Sequence, residues 1–354
     1  MQPSASTPPN PSKAQPASRA TRILRNTIIP MKKSAFAAAF AALALILAVP
    51  QFRAQDTAAP QSPQLVILDT DIGDDIDDAF ALALILRSSE FRLLGIQTAF
   101  GNTELRARLV DRYLSAVGRT DVPVLAGPSD ASNHFTQAAY ARQSPDHKHA
   151  AAVPFLLDQI RKHPGQITLI AIGPLFNIQA AIAQDPATFR QLKRVVLMGG
   201  SVYRGYDNRK ANNAHTPPAP EWNILCDPAG AQALFASGVP TYVMPLDSTQ
   251  VRLDLPALGQ VLAHGSPLTD QLTLLYHQWT GATDWHSPTL FDPVAVTYAF
   301  RPDLCPTSPL RLQVDDKGFT RPVPGEPNAQ VCLQSDEKGF LDLLAGRITQ
   351  DTSQ

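Results

Sequence analysis

The chain has 354 residues, of which 44% are hydrophobic and 17% charged, and its formal net charge is −1. This length is ample for a substantial hydrophobic core and lies near the upper size of a single α/β domain. The near-neutral balance of charge offers no basic excess of the kind that binds nucleic acid, so we expect no nucleic-acid partner.

The first part of the chain differs in composition from the rest. Residues 1–30 are rich in Pro, Ser, Ala and Thr without periodicity, and we predict that they are disordered or precede the true start. Residues 31–54 combine a basic beginning with a short apolar run, which is typical of a secretory signal peptide. An uncleaved membrane anchor is the alternative, although the run is shorter than the roughly 20 residues of a membrane span. We therefore expect an exported protein, periplasmic or secreted, with no stable membrane anchor after cleavage.

The chain contains three cysteines, Cys226, Cys305 and Cys332, and their spacing is not that of a metal site. Export would allow a disulfide between Cys305 and Cys332, and the sequence leaves open whether it forms. We expect Cys226 to be a small buried residue.

A turn rich in aspartate follows the first predicted strand. Residues 65–68 are all apolar, as in a buried strand, and the apolar spacing of a helix begins after Asp78. From Asp69 through Asp78 the chain holds one glycine and six aspartates. Carboxylates this close stay ionised together only when a cation or the N–H groups of a helix start compensate their charge. Oxygen ligands without neighbouring His or Cys favour Ca²⁺ or Mg²⁺ over zinc.

The same turn also fits two roles that differ from this kind of metal site. An acidic helix start accounts for one or two aspartates, because Asp caps free N–H groups and interacts favourably with the helix dipole. The run from Asp74 to Asp78 also fits a magnesium–diphosphate motif of all-helical synthases, but a predicted strand precedes it here. Neither role accounts for six aspartates after a strand, so we predict a metal site.

Predicted strands alternate with helical segments from residue 64 to residue 346, without an internal repeat or a linker. The strands are nearly continuously apolar, which indicates one α/β domain with an open, mostly parallel, Rossmann-like sheet and helices on both faces. In such sheets ligands bind outside the carboxyl ends of the strands. Polar motifs follow four of the predicted strands, at residues 69–78, 101–102, 173–177 and 198–200. We expect these motifs to meet at one edge of the sheet.

This ordered set of motifs resembles the inosine–uridine-preferring nucleoside hydrolase family. The matching segments are Asp69-Thr70-Asp71 with Asp77-Asp78-Ala79, Gly101-Asn102, Val196-Leu197-Met198-Gly199-Gly200, Glu221-Trp222-Asn223 and Asp292-Pro293. The resemblance implies the nucleoside hydrolase fold, one Ca²⁺, and hydrolysis of ribonucleosides to ribose and a free base in purine or pyrimidine salvage. It also suggests a homo-oligomer, either a dimer or a tetramer.

The resemblance also assigns a role to each matching position. The Ca²⁺ ligands would be the carboxylates of Asp71, Asp78 and Asp292 and the backbone carbonyl of Ile172. Asp71 would also be the catalytic base that accepts a proton from the attacking water. The residues that bind the ribose would be Asp77, Asn102, Met198, Glu221 and Asn223. Asp69 would orient the other aspartates.

Two features depart from the family pattern. The aspartate turn is two residues longer than the family's short form, which leaves two readings of Asp74 and Asp75. Either they are an inserted acidic pair, or the register of the motif shifts and Asp75 becomes a metal ligand. Phe291 stands before Asp292, where many members carry a histidine that protonates the leaving base. Candidates to replace that acid are His286, Asp284, and the histidines at positions 134, 147 and 149, with stacking of the base on Trp285 or Trp279 as the alternative.

Three functions remain open from the sequence. The first is a Ca²⁺-dependent ribonucleoside hydrolase, and the second is a hydrolase of another N-riboside with the same fold. The third is a non-catalytic, Ca²⁺-stabilised protein that binds nucleosides or sugars and has lost the leaving-group acid. The sequence does not predict the base preference, because loops form the base pocket.

Overall fold

A computed structural model of the chain describes residues 62–129, 135–207 and 216–350. The predicted disordered start and signal peptide lie outside these ranges and stay predictions. Within the described ranges, no helix has both the length and the apolar character that a membrane crossing needs.

The described ranges contain eleven strands. They are β1 (Gln64–Thr70), β2 (Phe91–Thr98), β3 (Val124–Ala126), β4 (Ala150–Ala151), β5 (Ile167–Ala171), β6 (Arg194–Met198), β7 (Thr241–Met244), β8 (Thr307–Leu310), β9 (Leu312–Val314), β10 (Thr320–Pro322) and β11 (Ala329–Cys332). Nine of them form one sheet in the order β4-β3-β2-β1-β5-β6-β7-β11-β8, and β9 and β10 form a separate antiparallel pair. Every pairing in the large sheet is parallel except that of β11 with β8.

Thirteen α-helices lie in the same ranges. They are α1 (Asp77–Leu86), α2 (Thr103–Ala116), α3 (Ala138–Ala141), α4 (Ala152–Lys162), α5 (Phe176–Gln184), α6 (Pro186–Phe189), α7 (Trp222–Cys226), α8 (Pro228–Ala236), α9 (Leu246–Thr249), α10 (Leu255–Leu262), α11 (Pro267–Ala282), α12 (Phe291–Phe300) and α13 (Glu337–Ile348).

The sheet is covered on both faces, as predicted. Successive side chains of a strand point to opposite faces, so Val66 and Leu68 pack into one buried cluster and Ile67 into the other. The first cluster includes residues of α1, α2 and α10 to α13, and the second includes residues of α4, α5, α6 and α8. The α/β fold with an open, mostly parallel sheet is confirmed.

The carboxyl ends of the central strands lie side by side, since β2, β1, β5, β6 and β7 are consecutive neighbours in the sheet. At these ends β1 is followed by the aspartate-rich turn, β5 by Ile172 and Gly173, and β6 by Gly199. The parallel sheet therefore brings together polar motifs that are far apart in sequence.

The C-terminal part contains more strands than the sequence predicted. The sequence pattern through Val331 and Phe340 predicts one terminal strand and one helix, whereas β8 and the β9–β10 pair precede β11. The sequence of β8 lacks an apolar pattern because it is an edge strand, where Pro309 opposite Gln330 removes no hydrogen bond from the interior of the sheet. A second difference concerns residues 239–246, whose apolar pattern predicts a strand over the whole run, whereas β7 ends at Met244 and Leu246 begins α9.

Cys305 and Cys332 form a disulfide, and both residues are buried. The disulfide fixes the segment after α12 to the end of β11. The prediction that Cys226 is buried was wrong, because this residue is half-buried at the end of α7.

Candidate active site

The aspartate-rich turn takes a compact path that depends on Gly73. Gly73 has φ +129°, a conformation that L side chains rarely adopt, and a Cβ there would lie 2.5 Å from the ring of Phe135. Phe135 belongs to the segment 135–149, whose Thr136 hydroxyl donates to the carbonyl oxygens of Gly73 at 3.0 Å and Asp74 at 2.6 Å. The segment 135–149 therefore contacts the turn and holds two of its carbonyl groups by hydrogen bonds.

Three buried carboxylates meet beside the turn. Asp77 and Asp78 lie in the first turn of α1, and Asp292 lies in the first turn of α12. Each offers a carboxylate oxygen, and these oxygens all lie within 4.8 Å of one another. The positive ends of two helix dipoles thus point toward the group, and the backbone N–H of Asp292 donates to Asp77 at 3.3 Å. Two predicted ligands, Asp78 and Asp292, are brought together here.

The electrostatics of this group fit a divalent cation. Burial raises the pKa of Asp77, Asp78 and Asp292 well above the ordinary value, and the negative charge of neighbouring aspartates raises it further. A cation among them would compensate this repulsion. The donors are all oxygen atoms, which suits Ca²⁺ or Mg²⁺ better than zinc.

Asp71 and the three carboxylates line one cavity, although Asp71 is not a member of that close group of three. Burial raises the pKa of its carboxyl group to about 7. The backbone passes it closely at Gly173, where an added Cβ would lie 2.8 Å from the Asp71 amide nitrogen and 2.8 Å from its Oδ1. The absence of a side chain at position 173 therefore leaves room for Asp71 in this position.

Asp69 does not line the cavity, and two amide side chains hold it in a buried position. Gln97 donates to its Oδ2 at 2.6 Å, and Asn177 donates to its Oδ1 at 3.3 Å. Burial raises the pKa of Asp69 to about 7. Two hydrogen bonds thus fix its carboxylate, and its role in orienting the other aspartates stays a prediction.

Arg106 of α2 fixes the aspartate turn, and its side chain is 1% exposed. Its guanidinium donates to the carbonyl oxygens of Asp71 and Ile72, the latter at 3.0 Å, and forms an ion pair with Asp74 at 2.5 Å. Asp74 thus has a defined partner, which the sequence left open. Asp75 lines the cavity and accepts the N–H of Ile76 at 2.7 Å.

Glu221 and Asn223 are fixed by a short helix start. Glu221 caps α7, and its carboxylate accepts the N–H groups of Gly200 at 2.9 Å, Asn223 at 2.9 Å and Ile224 at 3.2 Å. Burial raises the pKa of Glu221 to about 7. The side-chain amide of Asn223 donates to the carbonyl oxygens of Met198 at 3.1 Å and Ile172 at 3.4 Å. Asn223 therefore links the ends of β5 and β6.

The cavity beside the aspartate turn has a volume of about 640 Å³. Its polar wall contains the carboxylates of residues 71, 74, 75, 77, 78, 221 and 292 together with Asn223. Its aromatic wall consists of Phe100, Tyr206, Trp222 and Phe291. Ile172 and Met198 also line it.

The aromatic wall is built from two ring pairs that one hydrogen bond connects. Phe100 packs edge to face on Trp222 with centroids 5.8 Å apart, and Tyr206 packs edge to face on Phe291 at 6.2 Å. The backbone N–H of Trp222 donates to the Tyr206 hydroxyl at 2.9 Å. Phe100 has φ 62°, which is rare for a bulky residue, and Arg106 donates to its carbonyl at 2.9 Å.

Several predicted residues do not line this cavity. Asn102 caps α2 by accepting the N–H of Leu105 at 3.0 Å. Trp285 is 47% exposed and packs edge to face on the buried Trp279 at 6.4 Å, and the carbonyl of the exposed His286 accepts the hydroxyl of Tyr276. Of the described residues that line the cavity, none is a histidine, and position 134 lies outside the described ranges.

Sequence reasoning missed Arg106, Gln97 and Tyr206. Arg106 follows the Gly101-Asn102 motif by four residues, one helical turn after Asn102, and this was the available signal. Gln97 is a polar residue in an otherwise apolar strand, which is a weak signal. Tyr206 lies in an irregular loop, and no pattern there indicated the site.

Comparison with known protein families identifies the family of the chain. The sequence profile of the inosine-uridine preferring nucleoside hydrolase family matches residues 66–342. The chain belongs to this family. Nucleoside hydrolases cleave the N-glycosidic bond of ribonucleosides, so this protein is an N-ribosyl hydrolase whose substrate is a small nucleoside.

Individual nucleoside hydrolases support this assignment. The chain is 30% identical over 316 residues to a pyrimidine-specific ribonucleoside hydrolase, RihA, of Enterobacter sp. strain 638, covering 80% of this chain and 97% of the relative. It is 28% identical over 275 residues to uridine nucleosidase 1 of Arabidopsis thaliana, covering 72% and 79%.

Solved nucleoside hydrolase structures share the fold. The plant nucleoside hydrolase PpNRh1 superimposes with a TM-score of 0.71 at 26% identity, covering 82% of this chain and 100% of the plant chain. A purine-preferring ribonucleoside hydrolase from Gardnerella vaginalis superimposes with a TM-score of 0.68 at 26% identity, covering 81% and 98%.

Proposed function

We propose that this protein hydrolyses purine and pyrimidine ribonucleosides to ribose and the free base in a Ca²⁺-dependent reaction. The observation that carries this proposal is the single cavity in which the buried carboxylate group lies beside Glu221, Asn223 and Met198. The two sets suit a pentose chemically, because the first offers oxygen ligands for a cation and Glu221 and Asn223 offer partners for hydroxyl groups.

The cation would be held by Asp71, Asp78, Asp292 and the carbonyl oxygen of Ile172, with Asp77 beside them. When bound, Ca²⁺ would lower the pKa of a water molecule and has room in its coordination sphere for ribose hydroxyls. The Asp71 carboxylate accepts the proton of the attacking water. The surrounding carboxylates stabilise the positive charge that develops on the ribose in the transition state.

The ribose is oriented by side chains whose own positions are fixed. Glu221 already accepts three N–H groups, so its carboxylate cannot rotate away from the cavity. Asn223 holds the Ile172 carbonyl and Met198 in place. This rigidity supports binding of the sugar in one orientation, which lowers the entropic cost of the reaction.

The leaving base has no histidine at position 291, where Phe291 stands. We propose that the base lies against the aromatic wall and that the Tyr206 hydroxyl donates a hydrogen bond to it. When the bond between ribose and base breaks, the electron pair stays on the base nitrogen, and a hydrogen-bond donor there stabilises the leaving group.

The substrate range is tested with inosine, uridine and a nitrophenyl riboside in the presence of Ca²⁺. Release of free base from inosine and uridine is the expected result. Cleavage of the nitrophenyl riboside alone would show that base activation is missing and would exclude inosine and uridine as substrates. No cleavage of any of the three would contradict the proposal and favour a binding protein.

We propose further that the protein is exported. The N-terminal segment resembles a signal peptide, and the disulfide between Cys305 and Cys332 is typical of oxidising compartments. N-terminal sequencing of the protein recovered from its native cells should find a start shortly after residue 54. Recovery of the intact N-terminus from the cytoplasmic fraction would contradict export.

A further inference from the structure

A second group of chemically active side chains lies between α2 and the end of the segment 135–149, and none of them lines the cavity described above. His149, just before β4, has a side chain that is 2% exposed and contacts two carboxylates. Its Nδ1 lies 2.7 Å from Glu104 Oε2, and its Nε2 lies 2.8 Å from Asp111 Oδ2. His147, half-exposed, brings its Nε2 to 3.3 Å from the same oxygen of Asp111.

The side-chain atoms of this group lie close enough together to bind one metal ion. One ligand atom each from Asp111, His147 and His149 lies within 4.8 Å of the other two. In a tetrahedral zinc site, bonds of about 2.0–2.1 Å place two ligand atoms roughly 3.3 Å apart. The distance from Asp111 to His147 already has this value, and that from Asp111 to His149 has to open by about 0.5 Å.

Glu104 contributes a feature that is common around bound metals. Metal-binding histidines commonly donate their second ring N–H to a carboxylate, which fixes the ring and leaves the other nitrogen free to bind. Glu104 stands in that position at Nδ1 of His149, so Nε2 is directed toward Asp111 and His147.

An ion pair without metal explains only part of the group. A protonated His149 between Glu104 and Asp111 accounts for three residues, and it leaves His147 unexplained. The His147 ring lies 4.3 Å from the His149 ring and shares its carboxylate partner. Two protonated imidazoles at this distance repel each other, whereas two neutral imidazoles bind one cation together.

We propose that Asp111, His147 and His149 bind a divalent transition-metal ion, best represented by Zn²⁺, with Glu104 as the positioning residue of His149. Imidazole ligands distinguish this site from the all-oxygen group around Asp292. The two sites should therefore take different metals.

The position of the site suggests what it does. His147 and His149 end the segment 135–149, whose beginning contacts the aspartate turn through Thr136 and through Gln137, which donates to the Asp75 carbonyl at 3.1 Å. A metal bound at its end would fasten this segment to α2. The site would then be structural, holding in place the segment that closes the active-site turn.

The test is a Zn²⁺ titration of the full chain after removal of metals, with a chromogenic chelator as competitor and Ca²⁺ in excess to occupy the aspartate group. We expect one Zn²⁺ per chain and slower proteolysis of the segment 135–149 when Zn²⁺ is bound. His147→Ala should weaken Zn²⁺ binding at least about tenfold. His277→Ala, at an exposed position on α11, is the matched control and should bind like the wild type.

The half-exposed position of His147 makes the variant tolerable to the fold, and circular dichroism checks this. Asp111→Asn is the second variant and should weaken binding in the same way. Failure of the wild type to take up Zn²⁺, or Zn²⁺ binding that neither variant changes, would overturn the proposal. Hydrolysis of nucleosides is not used as a readout, so the outcome is independent of the proposed function.

Discussion

The rings of Tyr206 and Phe291 meet edge to face with their centroids 6.2 Å apart, and both line the cavity that contains the buried carboxylates. The segment that carries Tyr206 is fixed by Asp247, which accepts the N–H groups of Val202 at 2.9 Å and Tyr203 at 2.8 Å. The Tyr206 hydroxyl accepts the backbone N–H of Trp222 at 2.9 Å and is therefore a positioned group beside Phe291, where the family resemblance led us to expect a histidine.

Tyr206→Phe keeps the ring and removes the hydroxyl. We expect kcat for inosine and uridine to fall by about a hundredfold, which is typical for the loss of a group that assists proton transfer. The nitrophenyl riboside should be cleaved at the wild-type rate, because its leaving group needs no such assistance.

Steady-state kinetics on the three substrates check this prediction. Tyr203→Phe is the control, since Tyr203 lies in the same segment, is 57% exposed and does not line the cavity. An equal loss on all three substrates would assign Tyr206 to the shape of the cavity instead.

Gly173→Ala tests how closely Asp71 must be positioned. The added Cβ would lie 2.8 Å from Oδ1 and from the amide nitrogen of Asp71, so the carboxylate has to move. We expect kcat to fall about tenfold or more, because small displacements of a reacting group are costly.

The matched control is Gly259→Ala in α10, where a Cβ meets no atom within 4 Å. This variant should keep full activity and gain about 0.5–1 kcal/mol in free energy of unfolding. Full activity of Gly173→Ala would show that the close contact does not determine the geometry of the site.

Arg106→Lys tests the contribution of Arg106 to stability. Lysine keeps the charge but loses the planar fork that reaches Ile72 and Asp74 together. We expect the free energy of unfolding to fall by about 3 kcal/mol, measured by urea denaturation, because buried acceptors lose their donor.

Arg119→Lys is the comparison, because its ion pair with Asp121 is solvent-exposed. There the change should stay within about 0.5 kcal/mol. Similar small losses for both variants would mean that Arg106 is not required to hold the turn.

Ca²⁺ binding should release protons near neutral pH. In the metal-free protein the pKa of Asp71 is about 7 and those of Asp77, Asp78 and Asp292 are raised, so protons compete with the cation. The apparent affinity for Ca²⁺ should therefore rise as the pH increases from about 6 to about 8. Calorimetric titration in two buffers of different ionisation enthalpy detects the released protons, and an affinity that does not depend on pH would contradict this prediction.

The central part of the site could be predicted because it depends on local rules. An apolar strand, an acidic turn and an apolar helix are each local patterns, and a parallel sheet places the carboxyl ends of its strands together. The meeting of Asp78 with Asp292 follows from these rules and the family resemblance, although the two residues are far apart in sequence.

The remainder depends on contacts that no local pattern specifies. Asn102 could serve equally as a helix cap or as a ribose ligand, because both roles use the same position at a helix start. The partner of Asp74 could not be predicted, since an arginine on a helix does not indicate which turn it reaches. Tyr206 lies in a loop, and loops follow tertiary contacts rather than a sequence period.

The most direct test of Ca²⁺-dependent hydrolysis is Ca²⁺ uptake measured together with cleavage of inosine and uridine after chelation. We expect one Ca²⁺ per chain in equilibrium dialysis, no hydrolysis after chelation and full recovery when Ca²⁺ is restored. Asp292→Asn should bind no Ca²⁺ and hydrolyse neither substrate, whereas Asp270→Asn, at an exposed position on α11, should match the wild type. Undiminished hydrolysis by the chelated protein, or by Asp292→Asn, would contradict a Ca²⁺-dependent reaction at this site.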